Sequence, residues 1–115
     1  MNENQQIELE RILVAIERIE SFIEGKRKLE LYINDELMQS GIGLQFIVIG
    51  ESTKAFMNLN SIVELKYAKE IIGLRNRIAH AYDSVDHIAI WNIVVNHLPK
   101  LKLEVESLLN QQNEQ

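Results

Sequence analysis

Leu9, Ile12, Ile16, Ile19 and Ile23 recur at alternating spacings of three and four, with no proline or glycine among them. That period lines one face of a helix and does not fit the two-residue alternation of a half-buried strand. A fold that accepts this segment must lay a long helix against something apolar. The rest of the chain is equally poor in breakers, with Pro99 the one proline and five glycines in 115 residues. An all-β domain needs many short turns. The pattern therefore predicts an all-α protein, with residues 1–115 forming a single domain.

The first helix is expected from about Asn4 to Glu24, with Gly25 as the left-handed residue that ends it. Leu29 to Ile33 reads as loop or one helical turn. Asn34 has the side chain of an N-cap for a second long helix, roughly Asp35 to Leu59. Gly41 and Gly43 make a break there as plausible as continuity, since each costs about 1 kcal/mol in a helix interior relative to Ala. Close approach of a neighbouring helix is the physical reason to keep both inside. Asn58 to Ser61 reads as a turn, and a third helix is expected over about Val63 to Tyr82. Ser84 is placed to cap the next helix, whose apolar stripe is Ile88, Trp91, Val95 and Leu98. Pro99 either kinks that helix or opens a final one at its first position. Short connections predict an antiparallel bundle of four or five helices. Its expected core includes Leu9, Ile12, Ile16, Ile19, Leu44, Val48, Ile71, Trp91, Val95, Leu101 and Val105.

The absence of cysteine excludes disulfides and thiolate zinc sites and fits a reducing, cytoplasmic location. Residues 1–10 lack the basic and apolar regions of a signal peptide, and runs such as Phe46 to Ile49 are too short to cross a bilayer. A net charge of −5 counts against a nucleic-acid binder, whose affinity comes largely from phosphate contacts. The charge is uneven, however. Residues 1–24 carry six Glu against Arg11 and Arg18, whereas residues 66–82 carry Lys66, Lys69, Arg75 and Arg77 against Glu70. A local basic patch suits an anionic ligand.

That basic stretch contains Gly73-Leu74-Arg75-Asn76-Arg77-Ile78-Ala79-His80-Ala81-Tyr82. On a helix, Asn76 and His80 are neighbours one turn apart, and Arg75 and Tyr82 align two turns apart. An arginine, an amide, an imidazole and a phenol form a usable set for cleaving a phosphodiester. RNA carries its own nucleophile, the ribose 2′-OH, and an imidazole with a pKa near ~6.5 is suited to take its proton. A guanidinium fork matches phosphate oxygens and stabilises developing charge. Asn76 fixes the imidazole or the phosphate, and a neutral Tyr82 stacks on a base or donates to an oxygen. The scheme uses side chains alone, with no metal or other cofactor. The bland reading of the same residues is a solvated helix end, whose partial negative charge attracts His and Arg.

Arg75, His80 and Tyr82 spell R-x-x-x-x-H-x-Y, with Asn76 directly after the arginine. This resembles the HEPN ribonuclease motif in the form carried by HepT-like toxins of HepT/MntA toxin–antitoxin systems. Ile49-Gly50-Glu51-Ser52 is similar to the family's I-G-E-A segment. Leu74-Arg75-Asn76, Val85-Asp86, Trp91 and Leu98-Pro99 also fall where the family has similar residues. The resemblance runs from about Leu9 to Leu109; Gly41, and the link between Phe56 and Tyr67, depart from it. It implies a HEPN helical bundle with the second helix continuous through Gly41 and Gly43. It implies metal-independent endoribonuclease activity that leaves 2′,3′-cyclic phosphate and 5′-OH ends, with Arg75 and His80 as the essential pair. It further implies a homodimer whose two motifs share a cleft, and an MntA-type nucleotidyltransferase antitoxin that transfers AMP to Tyr82. The competing reading is a non-catalytic HEPN module that binds a nucleotide or a nucleotidyltransferase partner.

Other residues have two readings each. Lys66, Lys69 and Arg77 extend an RNA-contacting surface or simply solvate helices. Glu51 partners a site residue or faces water. His87 is expected at the surface and His97 at a rim, and neither belongs to a metal-binding pattern such as H-E-x-x-H. Trp91 is expected in the core.

Overall fold

The computed structural model describes residues 2–59 and 63–113, and the described residues form helices and turns without strand. Helix α1 spans Glu3–Ile23, α2 Leu29–Ile33, α3 Glu36–Leu59 and α4 Lys69–Ala81. A 3-10 turn, Tyr82–Ser84, leads to α5 at His87–Asn92, which continues through a π-turn at Ile93–His97 into α6 at Leu98–Asn113. Helix α3 is central, with α1 along one side and α4 along another; α6 packs on α1, and α2 bridges α3 and α5. No helix among the described residues is long and apolar enough to cross a membrane.

The stripe that opened the sequence is the floor of the core: Leu9, Ile12, Ile16, Ile19 and Ile23 are buried against Ile42, Phe46, Ile49 and Phe56 of α3. Burying each such side chain stabilises the fold by about 1.5–3 kcal/mol. Helix α1 begins with a capping box, in which Asn2 Oδ1 accepts from the Gln5 N–H at 2.8 Å and Gln5 Oε1 accepts from the Asn2 N–H at 3.0 Å. It ends at Gly25, whose φ of 72° is open to glycine at little cost.

Several boundaries differ from the sequence reading. The third long helix starts at Lys69, not Val63. The preceding segment is tied down from outside: Glu104 of α6 accepts the backbone N–H groups of Lys66 and Tyr67 at 2.7 and 3.3 Å. The cap of α3 is Asp35, whose Oδ1 accepts the Met38 N–H at 2.9 Å, whereas Asn34 closes α2 by donating to the Glu30 carbonyl. The cap of α5 is Asp86, which accepts from Ile88 and Ala89, and the Ser84 hydroxyl instead donates to the Ala81 carbonyl. The expected turn over Asn58 to Ser61 is helical through Leu59, and its remainder lies outside the described residues.

Two expected core residues are exposed. Leu44 is 58% exposed because α3 turns Ile42, Phe46 and Ile49 inward, leaving Leu44 on the outer side. Val95 is 38% exposed, and Ile88 is also outside. Val94 and Val95 both satisfy three-and-four spacing between Trp91 and Leu98, and packing on α1 selects Val94, giving Trp91, Val94, Leu98, Leu101 and Val105 as the buried stripe. Val48 is only half-buried, while Leu9, Ile12, Ile16, Ile19, Ile71, Trp91, Leu101 and Val105 are buried as expected. Pro99 falls in the first turn of α6, directly after the π-turn, where its missing N–H leaves the helical ladder interrupted rather than broken.

Helix α3 runs unbroken through Gly41 and Gly43, and the surrounding contacts explain why. A Cβ at position 50 would lie 2.5 Å from Arg75 Cβ and 2.7 Å from its Cγ. A Cβ at position 43 would meet the Tyr82 ring at 3.4 Å and Ile78 Cγ2 at 3.9 Å. Gly43 and Gly50 are seven residues apart, as are Tyr82 and Arg75, so the two glycines form the bed on which α4 and its end lie antiparallel to α3. At Gly41 the Phe22 ring of α1 presses on the other side, 3.2 Å from where a Cβ would be.

Gly73, in α4, offers a control, since a Cβ there would meet nothing within 4 Å. Gly73→Ala should raise stability by about 0.5–1 kcal/mol through helix propensity. Gly50→Ala should lower it by roughly 1–3 kcal/mol despite the same propensity gain, because α4 must move away. Urea midpoints of the two variants would check this; equal stabilisation of both would show that the α3–α4 contact is looser than described.

Candidate active site

Ile71, Leu74 and Ile78 mark the buried face of α4. At about 100° per residue, Asn76 and His80 project roughly opposite that face, and both are exposed. Arg75 lies on the edge toward α3 and Arg77 on the far edge, toward α5. The four polar residues of the motif are thus spread around the helix end, with Asn76 and His80 on a solvent-facing ridge.

Arg75 is the most constrained member. Its stem crosses Gly50, and its side chain is 27% exposed. Nη2 donates to Glu51 Oε1 at 2.7 Å, and Nη1 donates to Asn76 Oδ1 at 3.1 Å. Nε is buried with no acceptor among the described residues. Glu51 is therefore a partner of the arginine, one of the two readings left open by the sequence. An ion pair this accessible contributes only about 0–1 kcal/mol to stability, so its main effect is to aim the fork. Asn76, set next to Arg75, orients the guanidinium rather than touching the imidazole.

His80 is exposed in the last turn of α4. The grooves beside α4 that are lined by Lys69 or Arg77 do not include Arg75, Asn76 or His80. Lys69 and Arg77 share a groove with Gly73, Asn92 and His97 between α4 and the α5–α6 run, on the side away from Glu51. Lys66 stands apart in the segment before α4. Lys69, seven residues before Asn76, lies on the same side of α4 as Asn76, whereas Arg77 is on the edge opposite Arg75.

Tyr82 departs from the helical alignment expected for it. Helix α4 ends at Ala81, with φ −152° and ψ 49°, and Tyr82 opens the 3-10 turn. Its ring still returns to the α3 side, because it rests on Gly43, and it is 37% exposed. Its hydroxyl lies 3.5 Å from Ser40 Oγ.

A second cluster escaped the sequence reading. Tyr32, the one buried residue of α2, is fully buried, and its hydroxyl is 2.8 Å from His87 Nδ1. The Tyr32 ring stacks on Trp91, with centroids 5.2 Å apart. His87 is half-buried rather than a free surface residue, and it stands edge-on to Tyr82 at 6.3 Å. Burial, and secondarily the neighbouring Tyr82, push the Tyr32 phenol well above its ordinary pKa, so it keeps its proton. No local pattern signals this pairing across 55 residues; a tyrosine inside a short apolar segment was the only clue.

Residues 12–108 match the model of the ribonuclease HepT-like family. A Thermococcus cleftensis protein named "Probable ribonuclease HepT" is 31% identical over 101 residues, which cover 87% of this chain and 91% of that protein. A Methanocaldococcus jannaschii protein, provisionally named as an RNase, is 33% identical over 79 residues, 65% of this chain and 70% of that protein. A similarly named protein of Caldanaerobacter subterraneus is 27% identical over 108 residues, 90% of this chain and 93% of that protein. No solved structure is a significant match. With its all-helical bundle and the Arg75-to-Tyr82 motif inside the matched span, the chain belongs to the HepT-like ribonuclease family.

Proposed function

We propose that this chain is a metal-independent endoribonuclease toxin. The observation that carries the reading is Arg75, clamped by Glu51 and Asn76 at the end of the helix that exposes His80, in a chain of a ribonuclease family. In the reaction, His80 takes the proton of a ribose 2′-OH, and the 2′-oxygen attacks the adjacent phosphorus. The bond to the 5′-oxygen breaks and that oxygen takes a proton from water, leaving a 2′,3′-cyclic phosphate and a 5′-OH, while His80 returns its proton to solvent. Free N–H groups on the Arg75 fork stabilise charge on the non-bridging oxygens. In this reading Lys66, Lys69 and Arg77 contact phosphates that flank the scissile one. Incubating the chain with an RNA oligonucleotide in chelator should yield cyclic-phosphate ends. His80→Ala and Arg75→Ala should each lower the rate by ~10²–10⁴ and relieve growth arrest on expression. Unchanged cleavage or toxicity in His80→Ala at equal expression would refute the mechanism.

The active species in this reading is a homodimer. A single chain offers one His80 on an open ridge, and a two-fold axis would bring another motif across a shared cleft. Leu37, 84% exposed, and Leu44, 58% exposed, supply apolar surface on α3 that a second copy would cover. Sedimentation should show a dimer at micromolar concentration, and Leu44→Lys should shift it toward monomer. A parent chain that sediments as a monomer would contradict this.

The proposed antitoxin is an MntA-type nucleotidyltransferase that places AMP on Tyr82. The exposed phenol at the edge of the motif supports this. An adenylyl group there adds bulk and negative charge where RNA phosphate must bind. Co-expression with such an enzyme should add the mass of AMP to the parent and not to Tyr82→Phe. Complete neutralisation of an unmodified chain would indicate inhibition by complex formation instead.

A further inference from the structure

Because α4 stops at Ala81, helix geometry does not set the direction of Tyr82. Gly43 gives the ring space but no polar anchor, and the Ser40 contact at 3.5 Å is at the limit of a hydrogen bond. A neighbour with fixed geometry is His87. Its ring meets the Tyr82 ring at 6.3 Å with planes 82° apart, an edge-to-face contact. His87 is itself held, since its Nδ1 lies 2.8 Å from the hydroxyl of fully buried Tyr32, whose ring is stacked on core Trp91.

We infer that His87 is a positioning residue for Tyr82, fixed in turn by the buried hydroxyl of Tyr32. The row Trp91, Tyr32, His87, Tyr82 runs from core to surface through three separate elements. The Tyr32 hydroxyl and His87 Nδ1 share one hydrogen bond at 2.8 Å, whose direction follows the imidazole tautomer. Helix α2 is five residues long and buries only Tyr32, so presenting this hydroxyl is its principal packing role. His87 is also the first residue of α5, where the Asp86 cap fixes its backbone. The phenol is therefore aimed from α2 and α5, outside the helix that carries the motif.

What Tyr82 does for RNA rests on the ribonuclease reading; where its ring lies does not, and two measurements separate them. Tyr32→Phe keeps the ring stacked on Trp91 and removes only the hydroxyl. In aromatic NMR spectra, with Tyr82 assigned from its loss in Tyr82→Ala, the Tyr82 ring signals should move toward unstructured values in Tyr32→Phe. His87→Asn, which retains an acceptor near the place of Nδ1, should move them less than His87→Ala does. In RNA cleavage, Tyr32→Phe should raise KM about fivefold, the weight of one lost hydrogen bond, with kcat changed less. Adding Tyr32→Phe to Tyr82→Ala should raise KM no further. Tyr82 signals that stay in place in both Tyr32→Phe and His87→Ala would overturn the inference. So would a KM rise that persists undiminished without the Tyr82 ring, since that marks general destabilisation. If the chain cleaves no RNA, the ribonuclease reading fails, and the ring signals alone decide the position of Tyr82.

Discussion

Helix α4 can lie as close to α3 as it does only because position 50 of α3 carries no side chain. At Gly50 the Cβ and Cγ of Arg75 occupy the place where any other residue would begin its own side chain. Seven residues away, the ring of Tyr82 lies over Gly43 at 3.4 Å from where a Cβ would stand, an ordinary contact. A glycine in a helix interior costs about 1 kcal/mol, and α3 retains several. The return is close contact between two backbones, with the arginine stem flattened between them. From that contact the rest of the site follows. The guanidinium emerges beside Glu51, the next residue of α3, and Asn76 takes its other arm.

Arg75 shows how an acidic chain keeps a cation in a defined direction. Glu51 is more than half exposed, so the pair adds little to stability, and water screens it. Its value is geometric: a long, flexible side chain is held at its stem by packing and at its head by two acceptors. An anion approaching from solvent meets a fork already oriented, which reduces the entropy cost of binding. Among the described residues His80 has no such scaffold, and it stands on the open ridge of the helix. The contrast fits a site completed by something outside the single chain.

Much of the architecture was legible along the chain. The α1 stripe could bury itself only as a helix, and Gly25 could end that helix because φ of 72° is open to glycine. The motif from Arg75 to His80 was readable because its members lie within two turns of one helix. Where two neighbouring residues meet the same local requirement, the sequence reading takes the wrong one, Asn34 for the cap and Val95 for the stripe. Asn34 and Asp35 are both good caps, and Val94 and Val95 both continue an apolar stripe. Which of each pair is used depends on the helix or core that the neighbouring element presents.

Contacts between distant segments were invisible for a different reason. Tyr32 and His87 are separated by 55 residues, and neither belongs to a pattern with a period. Their bond exists because α2 is laid across α5, an arrangement set by burial of the Tyr32 ring on Trp91. Glu104 likewise ties down the segment before α4 from the far end of the chain, and so decides where α4 begins. By itself the sequence determined the helical class, the long helices and the chemical types at the site, because those follow from periodicity and residue identity within a few turns. Only the tertiary structure decided which way Arg75 and Tyr82 point, because a side chain's direction is settled by what packs against it, and its neighbours come from other parts of the chain.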